Sequence, residues 1–179
     1  MRKPQFFTRM LTAGLLVAAL AAAAGKSAPA QERKDYLTDS EADQIREAMA
    51  GSERIKLYMN FADDRIKKLK YTLAHPNSFD KNRPEELNGL INAYSGCVDD
   101  AADLIGLAHE KQQDIHEGLK VLKAKTAEFL IYLQALDKTG PELESYKDTL
   151  DDAIEATQDA IQDATKAEKE NSTPVRRKQ

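Results

Sequence analysis

The chain has 179 residues, of which 41% are hydrophobic and 31% charged, with a single cysteine and a formal net charge of −4. This composition excludes a collagen-like or low-complexity chain, a disulfide-stapled scaffold, a polytopic membrane protein and a strongly basic nucleic-acid-binding protein. Aromatic residues make up only 6% of the chain. That is few for a β-sheet core, so the composition favours a single helical domain.

Residues 1–30 have the three parts of a secretory signal peptide. Basic residues without an acid lie in 1–9, an apolar run spans 10–24, and the small-x-small triplet 28–30 follows. The apolar run is shorter than the ~20 residues that a membrane span needs, so we expect cleavage rather than stable membrane insertion. The mature chain would keep 22 basic and 30 acidic residues, a net charge of −8. We expect an exported protein, in a bacterial periplasm or outside the cell.

The first helix is predicted over 39–74. Thr38 and Glu41 have the spacing of a capping box, which marks a helix start. Apolar residues then recur at steps of three and four as far as Leu73. Gly51 interrupts the phase, so we expect the helix to be bent or briefly broken there. Pro76 ends the helix, because proline cannot continue the hydrogen-bond ladder.

The most regular pattern follows Pro84, a residue that is tolerated in the first turn of a helix. From Leu87 to Leu136 the seam positions alternate by four and three without a slip, which is typical of left-handed supercoiled packing. We predict one continuous helix over 84–137. The alternative is a break near 109–118, where Asp114 could cap a new helix and the chain would form a four-helix bundle.

A third long helix is predicted over 141–169. Gly140 and Pro141 provide a stop and a start signal, and the seam that follows is rich in alanine. Residues 171–179 contain Pro174 and three basic residues and are predicted to be a disordered tail. The predicted fold is therefore all-α: residues 31–170 form an elongated antiparallel bundle of three long heptad-patterned helices, with four helices as the alternative.

The last predicted helix carries acidic residues spaced three or four apart on one face: Asp148, Asp152, Glu155, Asp159 and Asp163. Like charges at this spacing repel one another, so something should offset the repulsion. The preferred explanation is a basic strip on the preceding helix, with Lys123 opposite Glu155, or simple solvation. A divalent cation held by these acids is the alternative.

His109 and His116 are the other weak candidates for metal ligands. On a continuous helix they would lie about 10 Å apart along the axis, too far to bind one ion. Gln112 and Gln113 occupy the positions where carboxylates would complete a di-metal motif. Solvated polar side chains are therefore the preferred interpretation of both histidines.

Three further features have structural interpretations. Cys97 widens an apolar stripe and is predicted to be a buried small hydrophobe. The basic residues around Arg65 are predicted to form a solvated face. The dense apolar run 127–133 is interpreted as the middle of the bundle rather than as an exposed docking surface.

The sequence holds no array typical of nucleophilic, phosphate-binding or zinc chemistry. We therefore predict no enzyme activity, no catalytic residue and no cofactor, and the acidic charge argues against nucleic-acid binding. By elimination, we expect a non-catalytic helical-bundle protein of the cell envelope that acts through helix–helix contacts with a protein partner or with itself. The second hypothesis is a divalent-cation-binding helical protein. An enzyme with a site assembled from scattered residues is the third.

Overall fold

The computed structural model describes residues 36–77 and 80–172, which contain helices and their connections but no strands. The elements are α1 (Asp39–Glu47), α2 (Gly51–Ala74), α3 (Arg83–Glu110), α4 (His116–Thr139), a 3₁₀ helix (Leu143–Ser145) and α5 (Lys147–Ser172). The all-α prediction is confirmed. The predicted signal peptide and most of the predicted tail lie outside the described residues. Within these residues, no helix combines the length and apolarity needed to cross a bilayer.

The predicted first helix is two helices, α1 and α2. The capping box is confirmed: the Thr38 hydroxyl accepts from the Glu41 N–H at 3.2 Å, and the Glu41 carboxylate accepts from the Thr38 N–H at 2.8 Å. The chain breaks at 48–50, where Ala48 and Ala50 have extended backbones. Gly51 is then the buried first residue of α2, directly after the break.

The predicted continuous helix over 84–137 is wrong, and the alternative break near 109–118 is correct. Helix α3 ends in a Schellman motif, in which the Gln113 N–H donates to the Ala108 carbonyl at 2.9 Å and Gln112 has a left-handed φ of 52°. The Asp114 carboxylate accepts from the N–H of His116, the first residue of α4, at 3.0 Å. Ile115 is only 3% exposed, so the turn itself contributes to the core.

Tertiary packing explains why the chain turns here despite its unbroken heptads. As one straight helix, 84–137 would extend roughly 80 Å, far beyond α2 and α5, which have 24 and 26 residues. Its second half would leave large apolar residues such as Phe129 and Leu133 without enough neighbours. The turn brings both inside the bundle, where they are 1% and 0% exposed.

Helices α2 to α5 form a four-helix bundle from two antiparallel hairpins. In the first hairpin, Thr72 of α2 lies beside Glu86 of α3. In the second, Lys147 of α5 pairs with Asp137 near the end of α4 at 3.1 Å. The prediction of antiparallel packing is correct within each hairpin.

The two hairpins, however, pack side by side with parallel helices. Helix α2 runs along α4, and α3 runs along α5, whereas α3 and α4 lie at diagonal corners. The parallel course of α3 and α5 is marked by Asn88 beside Thr149 and, further along both helices, by Tyr94 beside Thr157. Two of the four lateral contacts are therefore parallel, because the chain crosses the bundle diagonally between α3 and α4.

Helix α5 begins later than predicted. Gly140 caps the end of α4 as expected, but Pro141 is followed by the 3₁₀ helix. The buried Tyr146 folds back so that its hydroxyl donates to the Pro141 carbonyl at 2.7 Å, and a side chain at Gly140 would clash with that hydroxyl. At its other end α5 continues to Ser172, so the helix includes the first two residues of the predicted tail.

Arg83 connects the two hairpin turns at one end of the bundle. Its side chain is 8% exposed and pairs with Glu142 at 2.7 Å between Nε and Oε2. Its Nη2 donates to the Thr72 carbonyl at 2.9 Å, which satisfies one of the last carbonyls of α2. Glu142 has a left-handed φ of 58°, and its ion pair with Arg83 connects the second hairpin turn to the first hairpin.

Candidate interaction surfaces

The weak metal candidates lie on separate exposed surfaces. Asp148, Asp152, Glu155, Asp159 and Asp163 are all exposed along α5. His109 is in the last turn of α3 and His116 begins α4, so the break separates two exposed histidines that were predicted to share one helix. Among the described residues, no three His, Cys, Asp or Glu side chains come together in a group that could hold a metal ion.

The basic strip that was predicted to face the acids of α5 has other partners. Lys123 pairs with Glu168, so the predicted register that placed it opposite Glu155 is wrong. Lys125 points to the neighbouring helix α2 and pairs with Asp63 at 3.1 Å. The register differs because the 3₁₀ helix lengthens the turn between α4 and α5.

The acids of α5 instead continue onto α3. Asp99 is exposed at the surface, but partial desolvation, together with the negative charges of Asp103, Asp100 and Asp159, raises its pKa. This juxtaposition depends on the parallel packing of α3 and α5, so the sequence did not reveal it. It leaves like charges close together on one surface, which costs stability at neutral pH.

The outward side of α4 carries a row of small and apolar residues beside the exposed Glu128. Helical periodicity places Ala124, Ala127, Ile131 and Ala135 on one line, and all four are exposed. Ile131 is 71% exposed, which is unusual for a large aliphatic side chain. We call these four residues the α4 face. Lys120 and Lys138 lie on the same line at its two ends.

The α4 face partly overturns the interpretation of the run 127–133. Phe129 and Leu133 are buried in the middle of the bundle, as predicted. Ile131 points outward, and this part of the prediction is wrong. The outward positions of α5, by contrast, are dominated by acids.

A second surface is covered by residues 36–47, which we call the arm. The ring of Tyr36 lies directly over Gly96, where even a methyl group would approach the ring to 2.7 Å. The Tyr36 hydroxyl donates to the Asp100 carboxylate, and Tyr58 hydrogen-bonds to the same carboxylate. Burial, with the nearby Asp100 charge, raises the pKa of both phenols, so both remain donors at neutral pH.

Arg65 is the second anchor of the arm. Its guanidinium forms a two-pronged ion pair with Glu41, with Nη2 at 2.6 Å from Oε2, and Nη2 also donates to the Tyr36 carbonyl at 3.0 Å. The hydrogen bond from Arg65 lowers the pKa of Glu41 to about 2. The Arg65 side chain is 7% exposed, so its predicted place on a solvated basic face is wrong.

The sequence held only an ambiguous signal for the arm surface. Gly89, Gly96 and Gly106 all lie inside the helical pattern of α3, and only Gly96 is closely approached by another segment. Its neighbour Cys97 is fully buried, as predicted. Arg65 gave no comparable signal, because its carboxylate partner is 24 residues away in the chain.

No known protein family, curated protein or solved structure matches this chain. The fold defines it as a four-helix bundle with an additional N-terminal helix packed against its side. The α4 face and the surface beneath the arm are the two features from which we infer function.

Proposed function

We propose that this chain is an exported, non-catalytic helical-bundle protein of the cell envelope that binds a helix of another protein through the α4 face. The observation that carries this proposal is the 71% exposure of Ile131, on a line of exposed alanines with Glu128 beside it. Alanines let a second helix approach closely, and Ile131 can fill a groove between the side-chain ridges of that helix. Burying this side chain would contribute about 1–2 kcal/mol to binding.

The charges around the α4 face favour a particular kind of partner. Lys120 and Lys138 lie at the two ends of the α4 face, and the exposed Glu128 lies beside it. A complementary helix would therefore carry acidic residues near the two ends of its apolar stripe and a basic residue opposite Glu128. Such charges add specificity and speed of association more than affinity. A second copy of this chain is one possible source of the helix, and another envelope protein is the other.

The proposed location and the non-catalytic role are supported by the sequence. Residues 1–30 have the organisation of a signal peptide. If they are cleaved, N-terminal sequencing of the protein recovered from the envelope or medium will begin at Gln31. Recovery of the chain with Met1 still attached, or only from the cytoplasm, would contradict the export part of the proposal.

The binding part is tested by comparing three versions of the chain: the natural one, Ile131→Glu, and the matched control Gln158→Glu on the exposed side of α5. Each is isolated from the native envelope, and the proteins retained with it are identified. We expect a retained protein that is lost with Ile131→Glu and kept with Gln158→Glu.

Light scattering at two protein concentrations tests the same surface for self-association. A molar mass that rises with concentration for the natural chain and the control, but not for Ile131→Glu, identifies the partner as a second copy. If retained proteins and molar mass are the same in all three versions, the α4 face is not a binding surface and the proposal fails.

A further inference from the structure

We infer that Arg65, Gly96 and Asp100 form a recognition site for a helical segment of a partner protein that presents a tyrosine and, five residues later, an acid in its first turn. We call these three residues the arm site. In the structure the chain's own Tyr36 and Glu41 occupy it. The arm is then an intramolecular ligand, which a partner segment with the same tyrosine and acid can displace. This inference goes beyond the proposed function, because the arm site lies on α2 and α3 rather than on α4.

The arm is built to detach more easily than the bundle. Helix α1 has nine residues and none of them is buried, whereas every helix of the bundle places several side chains in the core. A helix this short is marginal without packing. It joins α2 through the extended residues 48–50, in which Met49 is 89% exposed. Tyr36, Leu37 and Ile45 pack against the core but are only partly buried, so the arm buries less apolar surface than any bundle helix. Such segments open locally while the rest of a protein stays folded.

The surface beneath the arm is specific in shape and chemistry. Gly96 provides a flat seat for an aromatic ring, and Asp100 accepts the hydrogen bond of a phenol. Arg65 offers a planar pair of donors that matches a carboxylate. The three contacts are held on two helices that pack firmly together. The site therefore recognises the distance between the phenol and the carboxylate of a ligand as well as the two groups themselves.

Arg65 also explains why an empty arm site would favour a replacement. Its side chain is 7% exposed and Glu41 supplies the carboxylate that pairs with it. When the arm leaves, the guanidinium loses both the Glu41 carboxylate and the Tyr36 carbonyl that accept its hydrogen bonds. A segment that brings another carboxylate restores the two-pronged ion pair.

The short connection between α1 and α2 determines which segments can compete. A linker of this length keeps the arm at a millimolar or higher effective concentration near its own site. A second copy of the arm offers the same contacts without the linker and therefore loses this competition at micromolar concentrations. A productive partner needs the tyrosine–acid pattern and further contacts of its own.

The experiment uses a fluorescent synthetic peptide of residues 36–48 and the mature chain with two substitutions, Tyr36→Ala and Glu41→Ala, which remove both anchors of the arm. Binding is measured by fluorescence anisotropy. We expect the peptide to bind this variant at least about tenfold more tightly than the natural chain, in which the tethered arm blocks the site. The matched control is Asp43→Ala with Arg46→Ala, which removes an exposed ion pair of α1 and should behave like the natural chain.

Two further changes assign the binding to the arm site. Adding Arg65→Met to the variant, or replacing the peptide's tyrosine and glutamate, should abolish binding. If Arg65→Met does not fold, as judged by helical circular dichroism, Gly96→Ala fills the ring seat without removing a charge and should also abolish binding. Equal peptide binding by the natural chain and the variant, or binding that survives these changes, would overturn the inference.

Hydrogen exchange of the natural chain provides an independent measurement. We expect amides of α1 to exchange at least about 100-fold faster than those at the centre of α3, because local opening releases the arm without unfolding the bundle. Exchange of both at the same rate would show that the arm is not displaceable. None of these measurements involves Ile131, so their failure would leave the proposed role of the α4 face untouched, and the reverse is also true.

Discussion

The hydroxyl pair of Tyr94 and Thr157 offers a sharp test of the packing between α3 and α5. The two residues are 1% and 0% exposed, and their oxygens are 2.7 Å apart. The Thr157 hydroxyl donates its proton to the Ala153 carbonyl at 2.6 Å, so Tyr94 is the donor of the shared bond. Burial raises the pKa of Tyr94, which keeps the phenol protonated.

The structure predicts different costs for the two single substitutions. Thr157→Val keeps the volume of the side chain but leaves the buried Tyr94 hydroxyl without its acceptor, which should cost about 1–3 kcal/mol of unfolding free energy. Tyr94→Phe removes one hydrogen bond while Thr157 keeps its bond to Ala153, and should cost about 0.5–1.5 kcal/mol. The double variant contains no buried hydroxyl without a hydrogen-bond partner. Its loss of unfolding free energy should therefore be smaller than the sum of the two single losses by about 1 kcal/mol.

The assay is urea unfolding followed by circular dichroism for the natural chain and the three variants. Thr126→Val on α4 is the matched control, because Thr126 is also fully buried and its hydroxyl makes the corresponding bond to the Leu122 carbonyl at 2.7 Å. In thermal melts each kcal/mol should appear as about 2–4 °C. The reasoning would be refuted if the losses of unfolding free energy were additive in the double variant. It would also be refuted if Thr157→Val lost no more unfolding free energy than Thr126→Val.

Two further predictions concern charge. The pKa of Glu41 is lowered to about 2, so its ion pair stabilises the docked arm above the carboxyl's unfolded pKa and is lost as the pH falls through about 2. Carbon-detected NMR should find the Glu41 midpoint near pH 2, and substantially higher in Arg65→Gln; a high midpoint in the natural chain would contradict the described contact. The pKa of Asp99 is raised, so its ionised form opposes folding, and Asp99→Asn should raise the melting temperature at pH 7 by about 1–2 °C. The gain should shrink at pH 3, where the carboxyl is protonated. It should also exceed that of the control Glu128→Gln, an exposed acid in the middle of α4; equal shifts for the two variants would count against the acidic cluster.

Helix type and local boundaries could be predicted because they depend on residues close together in the chain. The capping box of Thr38 and Glu41 and the helix end at Gly140 depend on residues a few positions away, and both are present. Gly140 has an ordinary φ of −65°, and glycine fits there because a side chain would clash with the Tyr146 hydroxyl. The heptad seams also correctly identified most of the core, including Tyr94 and Phe129, because helical periodicity determines which side chains share a face.

The candidate surfaces could not be predicted in the same way. The outward position of Ile131 follows from the direction in which α4 packs, and the run 127–133 is apolar on nearly every side. The burial of Arg65 follows from the position of the arm across α2. In both cases the environment is set by a segment that is remote in sequence, and residue type alone carried no information about it.

By itself, the sequence determined that the chain is helical, where most helices begin and end, and which stripe of each helix is apolar, since these depend on interactions over a few residues. Only the tertiary structure decided between one helix and two over 84–137. An unbroken heptad pattern is compatible with both, and the choice depends on whether the second half finds neighbours. The second half finds neighbours because the chain turns at Ile115 and crosses the bundle diagonally. This crossing makes α3 and α5 parallel neighbours and so continues the acidic surface onto α3. It also determines which residues of α4 face outward.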